Sequence, residues 1–282
     1  MRFFNLETKL KHAYRNAAWQ LSLAHAKAAN DASFRFFESE VKPQLHRLDR
    51  LTVLPKQNVI FLPIEKNANS KTKRILAEIR NVRNPFARSE KKKFRTCLTA
   101  DEIPIQELYR MLQAKDRLIF AVVRNPYERV FSAWANKFRG KPLVGSRPLQ
   151  KPLPEMDTYL RRRASIDSTL PAGPDKQISF DEFLTYVAAI KETWDDPHVT
   201  PQARFLNIPF APPEHLVRME NFSADMKPLL ERMNAPASVF ARLDERVNPS
   251  GLGKNEYAIT PVQRKKIEEL YADDFEQFGY RE

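Results

Sequence analysis

The sequence predicts an α/β fold, and two strand-like segments carry the prediction. The first is Val59-Ile60-Phe61-Leu62, and the second is RLIFAVV at residues 117–123. Each segment is followed by a turn and then by apolar residues at helical spacing, an alternation that is typical of parallel sheets. The second segment is apolar from Leu118 onward, which suits a strand at the centre of such a sheet.

The length and composition predict one main domain with appendages. The chain has 282 residues with 42% hydrophobic content, which is enough to bury one sizeable core. We expect an N-terminal helical extension at residues 1–56 and a main domain at residues 57–282. Within it, residues 139–177 form a long basic loop that contains Arg161-Arg162-Arg163. A loop of this length is usually functional or disordered, and this one is basic enough to receive an acidic acceptor, with solvated flexibility as the alternative.

The charge balance favours an anionic partner. Lys and Arg number 47 against 35 Asp and Glu, a net charge of +12, which suits nucleotides, nucleic acid, acidic glycans or anionic lipid. The sole cysteine, Cys97, cannot form a disulfide within the chain, and this favours a reducing compartment. Because no apolar run reaches the roughly 20 residues of a spanning helix, we expect a cytoplasmic protein.

The N-terminal region predicts an amphipathic helix from Leu6 to about Ala29, interrupted near Asn30-Asp31. Its apolar stripe consists of Leu6, Leu10, Tyr14, Ala17, Leu21 and Ala24. We expect this stripe to pack against the core or a second subunit. Peripheral membrane contact is the alternative, because basic residues accompany the stripe. The sequence does not specify an oligomeric state.

The segment from Asn58 to Leu76 predicts a strand, a tight loop and a helix. Asn67 and Asn69 flank Ala68 where the chain turns, and asparagine tolerates positive φ. We expect Ser70 to cap the helix. Three cations follow in the first turn, and a bound anion would stabilise an arrangement that the helix dipole disfavours. They are Lys71, Lys73 and Arg74. This pattern predicts a phosphate-type cradle, and the alternative is a helix whose lysines face water.

The same segment resembles the 5′-phosphosulfate loop of the Golgi-type (family 2) carbohydrate sulfotransferases. Residues 62–74 read LPIEKNANSKTKR, and the family pattern runs P-I-P-K-V-A-C-T-N-W-K-R. The chain departs from this pattern at Glu65, Asn67, Asn69 and Lys71-Thr72. Glu65 places a carboxylate beside a site for anions, so we expect it to point away or to pair with a lysine.

A second segment resembles the 3′-phosphate site of the same family. VRNPYERVFSAWANKF, residues 123–138, is similar to the family's V-R-H-P-F-E-R-L-V-S-A-Y-R-D-K-F, and Arg124 and Ser132 keep its spacing of eight. Arg124 also stands at the carboxyl end of a predicted central strand, where ligands bind in open α/β sheets. A guanidinium and a hydroxyl are suitable contacts for a phosphate.

Two further segments extend the resemblance to the end of the chain. Residues 195–202, DDPHVTPQ, are similar to the family's D-x-H-W-x-P-Q, with Val199 in place of Trp. LYADDFEQFGY at residues 270–280 is similar to its Y-x-x-D-F-x-x-F-G-Y. His198 in the first of these segments is a candidate base, although an isolated histidine is more often a structural residue.

The resemblance implies a three-layer α/β fold around a mainly parallel central sheet, with a P-loop-like, phosphosulfate-binding strand-loop-helix. It also implies a sulfotransferase that uses 3′-phosphoadenosine 5′-phosphosulfate (PAPS). Lys66 would then stabilise the leaving phosphate oxygen, and His198 would accept the proton of the attacking hydroxyl. The implied PAPS-binding residues are Lys66, Asn67, Ala68, Asn69, Ser70, Lys71, Thr72, Arg124 and Ser132. No metal is implied.

The implied acceptor is a carbohydrate hydroxyl. The charge of +12 and Arg161–Arg163 favour an acidic polysaccharide or a lipid-linked glycan. A nucleotide-dependent phosphoryl transferase is one alternative, although no GxxxxGK[ST] motif is present. A non-catalytic nucleic-acid-binding module is another, but aromatic residues are too sparse among the basic ones to favour it, and we expect no nucleic-acid partner.

Overall fold

The computed structural model describes residues 19–80, 97–137, 179–194, 196–245 and 259–280. Several sequence predictions fall outside these described residues: the start of the N-terminal helix, the basic loop at residues 139–177 with Arg161–Arg163, and Asp195.

Eleven helices are named within the described ranges, together with five strands. The helices are α1 (residues 19–29), α2 (Ala32–Phe36), α3 (Asn69–Ile79), α4 (Ile105–Gln113), α5 (Pro126–Lys137), α6 (Phe180–Ala189), α7 (Gln202–Leu206), α8 (Phe222–Arg232), α9 (Ala237–Phe240), α10 (Pro261–Leu270) and α11 (Ala272–Phe278). The strands are β1 (Thr52–Leu54), β2 (Val59–Leu62), β3 (Leu98–Thr99), β4 (Leu118–Val123) and β5 (His215–Arg218). Short segments of π- or 3-10 helix, among them Phe37–Val41 and Lys42–Arg50, connect some of these elements.

The five strands form one sheet in the order β3-β1-β2-β4-β5. The prediction of an α/β fold is confirmed, but the prediction of a mainly parallel sheet is wrong. β2 pairs in parallel with β4, whereas β1 pairs antiparallel with both β2 and β3. The physical reason is the short connection Pro55–Asn58 between β1 and β2, because parallel strands need a crossover of a dozen or more residues. Asn58 adopts φ 53° in this turn.

The chain divides into two compact units. Unit one comprises the described parts of Met1–Pro63, Ala68–Val122 and Leu206–Glu245. Its core lies between the sheet and helices α3, α8 and α9. Phe61 and Phe120, which are register partners on β2 and β4, stack with ring centroids 5.0 Å apart. The continuous apolar runs of the sequence are explained by this burial, because every residue of β2 and β4 is buried.

Helices α1 and α2 also belong to unit one, and they pack on its other elements. Trp19 and Ala26 of α1 are buried. Gln106 on α4 donates from its amide to the carbonyl of Ser22 at 3.0 Å. The interruption predicted near Asn30-Asp31 is present, because Asn30 has φ 46° and the Asp31 carboxylate caps α2. Leu21 and Ala24, the members of the predicted apolar stripe that the structure describes, are exposed, so these two residues do not pack against the core, and α1 packs through Trp19 and Ala26 instead.

Unit two comprises the described parts of Ile64–Asn67, Val123–Phe205 and Arg246–Glu282. Its core joins apolar residues of α5, α6 and α10 with Val199 and Tyr271. Helix α6 starts at a capping box in which Ser179 accepts from the Glu182 N–H and Glu182 accepts from the Ser179 N–H. This unit contains Lys66, Arg124, Ser132 and His198.

Candidate active site

The loop after β2 has an unusual backbone. Lys66 has φ 73° and Ala68 has φ 51°, both in the left-handed region. This conformation costs residues with a Cβ roughly 1–2 kcal/mol each, and such strain is concentrated at functional sites. Asn67 and Asn69, which were predicted from the sequence to tolerate positive φ at this turn, do not adopt it.

Asn67 instead serves this loop through its side chain. The side chain is fully buried, and its Nδ2 donates to Oε1 of Gln202 at 2.5 Å. This contact lies within unit two. It fixes the peptide that follows Lys66.

Helix α3 begins at Asn69, with Ala68 at the N-cap position, and this N-cap residue makes no side-chain capping bond. The prediction that Ser70 caps the helix is therefore wrong. The Thr72 N–H and hydroxyl both bond the Ala68 carbonyl, at 2.9 and 3.2 Å. The first turn also contains no acidic residue. A helix N-terminus of this kind is suited to an anion, and the phosphate cradle stays a prediction.

The side chain of Lys71 is used inside unit one. Its ammonium donates to the Leu243 carbonyl and lies 4.5 Å from the centroid of the Phe222 ring. Burial lowers the pKa of Lys71, against the opposing attraction of Asp244 and Glu245. Lys71 would therefore contribute to an anion site through its backbone N–H and not through its ammonium.

Two arginines hold the peptides on either side of Lys66. Arg129 Nε donates to the carbonyl of Glu65 at 3.2 Å, and Arg124 Nη1 donates to the carbonyl of Lys66 at 3.3 Å. All of these residues lie in unit two. The strained backbone at Lys66 is thus fixed from both sides, while its side chain remains half-buried.

Arg124 lies directly after β4, and its guanidinium is almost fully buried. Its Nη2 is 3.2 Å from a carboxylate oxygen of Glu128, whose side chain is 47% exposed. Ser132, which lies on α5 eight residues after Arg124, is also buried. A phosphate that bound Arg124 would therefore compete with a carboxylate that can rotate into solvent.

Gln202 and Asp274 complete the network in unit two, and neither residue was predicted from the sequence to have a role. The Gln202 amide accepts from the Arg124 N–H and donates to the Arg124 carbonyl, both at 2.8 Å. Asp274 accepts from the N–H groups of Gln202 and Ala203 at 2.9 and 2.8 Å, and from the Gln202 amide at 3.2 Å. Burial raises the pKa of Asp274, against the charge of Arg129 and these hydrogen bonds. The only sequence signal was that both residues fall in segments similar to family patterns.

His198 is oriented by a carboxylate. Its Nδ1 lies 3.0 Å from Oδ1 of Asp196, whose other oxygen accepts from the Tyr186 hydroxyl at 3.1 Å. Burial alone would raise the pKa of Asp196, but hydrogen bonds from the His198 side chain and backbone lower it below its ordinary value. Since an ionised carboxylate only accepts, the ring donates this hydrogen bond from Nδ1 to Asp196.

This arrangement is consistent with a base paired with an orienting carboxylate. The same contact would also satisfy a structural histidine, which is the alternative that the sequence left open. Among the described residues there is no group of three or more His, Cys, Asp or Glu that could hold a metal ion. None of the helices in the described ranges has the length and apolarity needed to cross a bilayer.

The chain belongs to the sulfotransferase family, because the sequence model of that family matches residues 49–281. The predicted resemblance to family 2 sulfotransferases is thereby confirmed. Comparisons with curated proteins and with solved structures find no match. Membership of the family supports a transferase that moves a sulfuryl group.

Proposed function

We propose that the protein transfers a sulfuryl group from PAPS to a hydroxyl of a carbohydrate acceptor. The observation that carries the proposal is the backbone of Lys66, which is strained and bonded on both sides by Arg124 and Arg129. Strain of this kind persists only where the surroundings over-determine it. Sulfotransferases generally use PAPS as donor.

The proposed reaction is an in-line displacement at sulfur. The acceptor oxygen forms a bond to sulfur while the bond from sulfur to the 5′-phosphate oxygen breaks, and negative charge grows on that phosphate oxygen. Lys66 neutralises the growing charge, and the backbone N–H groups of Ala68, Asn69, Ser70 and Lys71 bind the phosphosulfate. The N–H groups of Asn67 and Thr72 already bond the carbonyls of Ile64 and Ala68, so these two residues would line the site without donating from their main chain. His198 Nε2 accepts the proton of the acceptor hydroxyl, with Asp196 holding the ring.

The donor proposal is tested by ligand-induced stabilisation. Adenosine 3′,5′-bisphosphate at about 100 times its dissociation constant should stabilise the folded protein by about 2.7 kcal/mol, measured by thermal unfolding. ATP with magnesium and a short single-stranded RNA serve as comparison ligands. Stabilisation by ATP alone would favour the phosphoryl-transferase alternative, and stabilisation by RNA alone would favour the nucleic-acid-binding one.

We propose that Arg124 and Ser132 bind the 3′-phosphate of the donor. The Arg124→Ala variant should then bind adenosine 3′,5′-bisphosphate about 10- to 150-fold more weakly, since hydrogen bonds to charged groups contribute about 1.5–3 kcal/mol. Its affinity for adenosine 5′-monophosphate, which lacks the 3′-phosphate, should change far less. Both affinities are measured by titration calorimetry.

The matched control for Arg124 is Arg264→Ala. Arg264 is exposed, and its guanidinium lies over the Tyr127 ring of the same unit, 4.9 Å from its centroid. This variant should bind both nucleotides as the wild type does. Equal losses for the two nucleotides in Arg124→Ala would show that Arg124 does not recognise the 3′-phosphate.

We also propose that the acceptor is acidic, on the basis of the charge of +12 and Arg161–Arg163. Replacing these three arginines by glutamine should raise the acceptor KM, leave donor affinity unchanged and weaken the dependence of the rate on salt. The measurement is transfer of radiolabelled sulfate to neutral and acidic glycans, with a small phenol for comparison. Preferential labelling of neutral sugars or of the phenol would exclude an acidic acceptor and leave the donor proposal unaffected.

A further inference from the structure

Arg129 is the fourth residue of α5, and it has the largest side chain among the fully buried residues of the described ranges. Its guanidinium donates from Nε to the Glu65 carbonyl at 3.2 Å and from Nη2 to the Pro197 carbonyl at 3.4 Å. These two carbonyls belong to the residues immediately before Lys66 and His198. One side chain therefore connects the two residues proposed to carry out the transfer.

This burial is costly for the protein. Removal from water lowers the pKa of Arg129, against the attraction of Tyr271, Asp274 and Glu65. The hydrogen bonds of the guanidinium go to main-chain carbonyls, and its buried Nη1 has no partner among the described residues. A buried charge with incomplete hydrogen bonding is a poor means of stabilising a fold, because apolar residues of similar volume often stabilise as well or better. The position therefore indicates a requirement other than stability.

A hydrogen bond to a carbonyl fixes the orientation of the peptide that follows it. At Lys66 this peptide precedes a residue with φ 73°, and the next carbonyl is held by Arg124. At His198 the backbone N–H and ring Nδ1 are both held by Asp196, at 2.9 and 3.0 Å. The guanidinium of Arg129 thus fixes the peptide from which the Lys66 side chain starts. It also holds the segment in which Asp196 orients the His198 ring.

We infer that Arg129 is a positioning residue that keeps Lys66 and His198 in register for sulfuryl transfer without touching the substrate. This inference rests on the proposed function for its catalytic consequence. Its structural part, the bonding of residues 64–67 to residues 196–199 through one guanidinium, can be measured independently of activity.

The kinetic test compares Arg129→Met, Arg129→Lys and the exposed control Arg264→Met. Arg129→Met should lower kcat about 100-fold while the KM values for donor and acceptor stay within about threefold, because misplacement of catalytic groups affects the transition state more than binding. Arg129→Lys can restore one of the two carbonyl bonds, so its kcat should fall about tenfold. Arg264→Met should retain the kcat of the wild type.

The second test is amide hydrogen exchange in the same variants. In Arg129→Met, exchange in peptides covering residues 64–67 and 196–199 should speed up by about tenfold or more, while peptides from α6 keep the wild-type rate. Arg129→Lys, which retains the charge, serves for both tests if the methionine variant is unfolded at the assay temperature. Unchanged exchange in the two segments, or an equal loss of kcat in Arg264→Met, would overturn the inference.

The two failures can be distinguished. A wild-type protein that transfers no sulfuryl group to any acceptor would count against the proposed function, and faster exchange in Arg129→Met would still support the structural connection. If the wild-type protein is active, and Arg129→Met is equally active and equally protected from exchange, then only the proposed role of Arg129 is overturned.

Discussion

Replacing Lys66 by alanine is expected to lower kcat about 10²–10³-fold while donor binding is largely retained. The reason is that the leaving phosphate oxygen gains charge only as the bond to sulfur breaks, so a cation at that oxygen acts mainly in the transition state. Single-turnover transfer of radiolabelled sulfate measures the rate, and calorimetry with adenosine 3′,5′-bisphosphate measures donor binding.

Two further variants test this interpretation of Lys66. Lys66→Arg retains the charge but changes its shape, and should recover part of the lost rate. Lys191→Ala removes an exposed lysine of the same unit and should leave the rate unchanged. If Lys66→Ala keeps a rate within about threefold of the wild type, Lys66 does not stabilise the transition state.

The second large effect is expected on stability, from Asp274→Ala. This substitution leaves the N–H groups of Gln202 and Ala203 and the Gln202 amide without their acceptor in a fully buried position. Each unsatisfied buried donor costs about 1–3 kcal/mol, so the free energy of unfolding should fall by about 3 kcal/mol or more. Urea unfolding followed by circular dichroism measures the change.

Asp273→Ala is the matched control for Asp274, because the neighbouring aspartate is exposed on the same turn of α11. It should change the free energy of unfolding by less than about 1 kcal/mol, through the helix dipole alone. Equal destabilisation by the two substitutions would mean that the carboxylate of Asp274 contributes nothing specific.

The parts of the fold that could be predicted from sequence are those with long, strongly patterned segments. Both strand-turn-helix units, β2 with α3 and β4 with α5, were predicted because continuous apolar strands lead into helically spaced apolar residues. The antiparallel side of the sheet was not predicted, because β1 has only three residues and β3 only two. Segments this short show no periodicity, so the sheet was wrongly predicted to be mainly parallel.

The candidate site was predictable as a set of charged residues, but its supporting contacts were not. Gln202 reaches Asn67, Arg124 and Asp274, which are far apart in the sequence, so no local pattern contains these contacts. The positive φ values fell on Lys66 and Ala68 for the same reason. The Asn67 side chain is committed to Gln202 inside unit two, and tertiary contacts overrode the local preference of asparagine.

The sheet order also has a consequence for the chain as it leaves the ribosome. β2 can pair with β1 as soon as both have emerged, because only the turn Pro55–Asn58 separates them. Its other edge stays open until Leu118 has been synthesised, since that residue is the partner of Val59. During this interval a strand of four apolar residues, all buried in the folded protein, presents an unpaired edge on which nascent chains can associate.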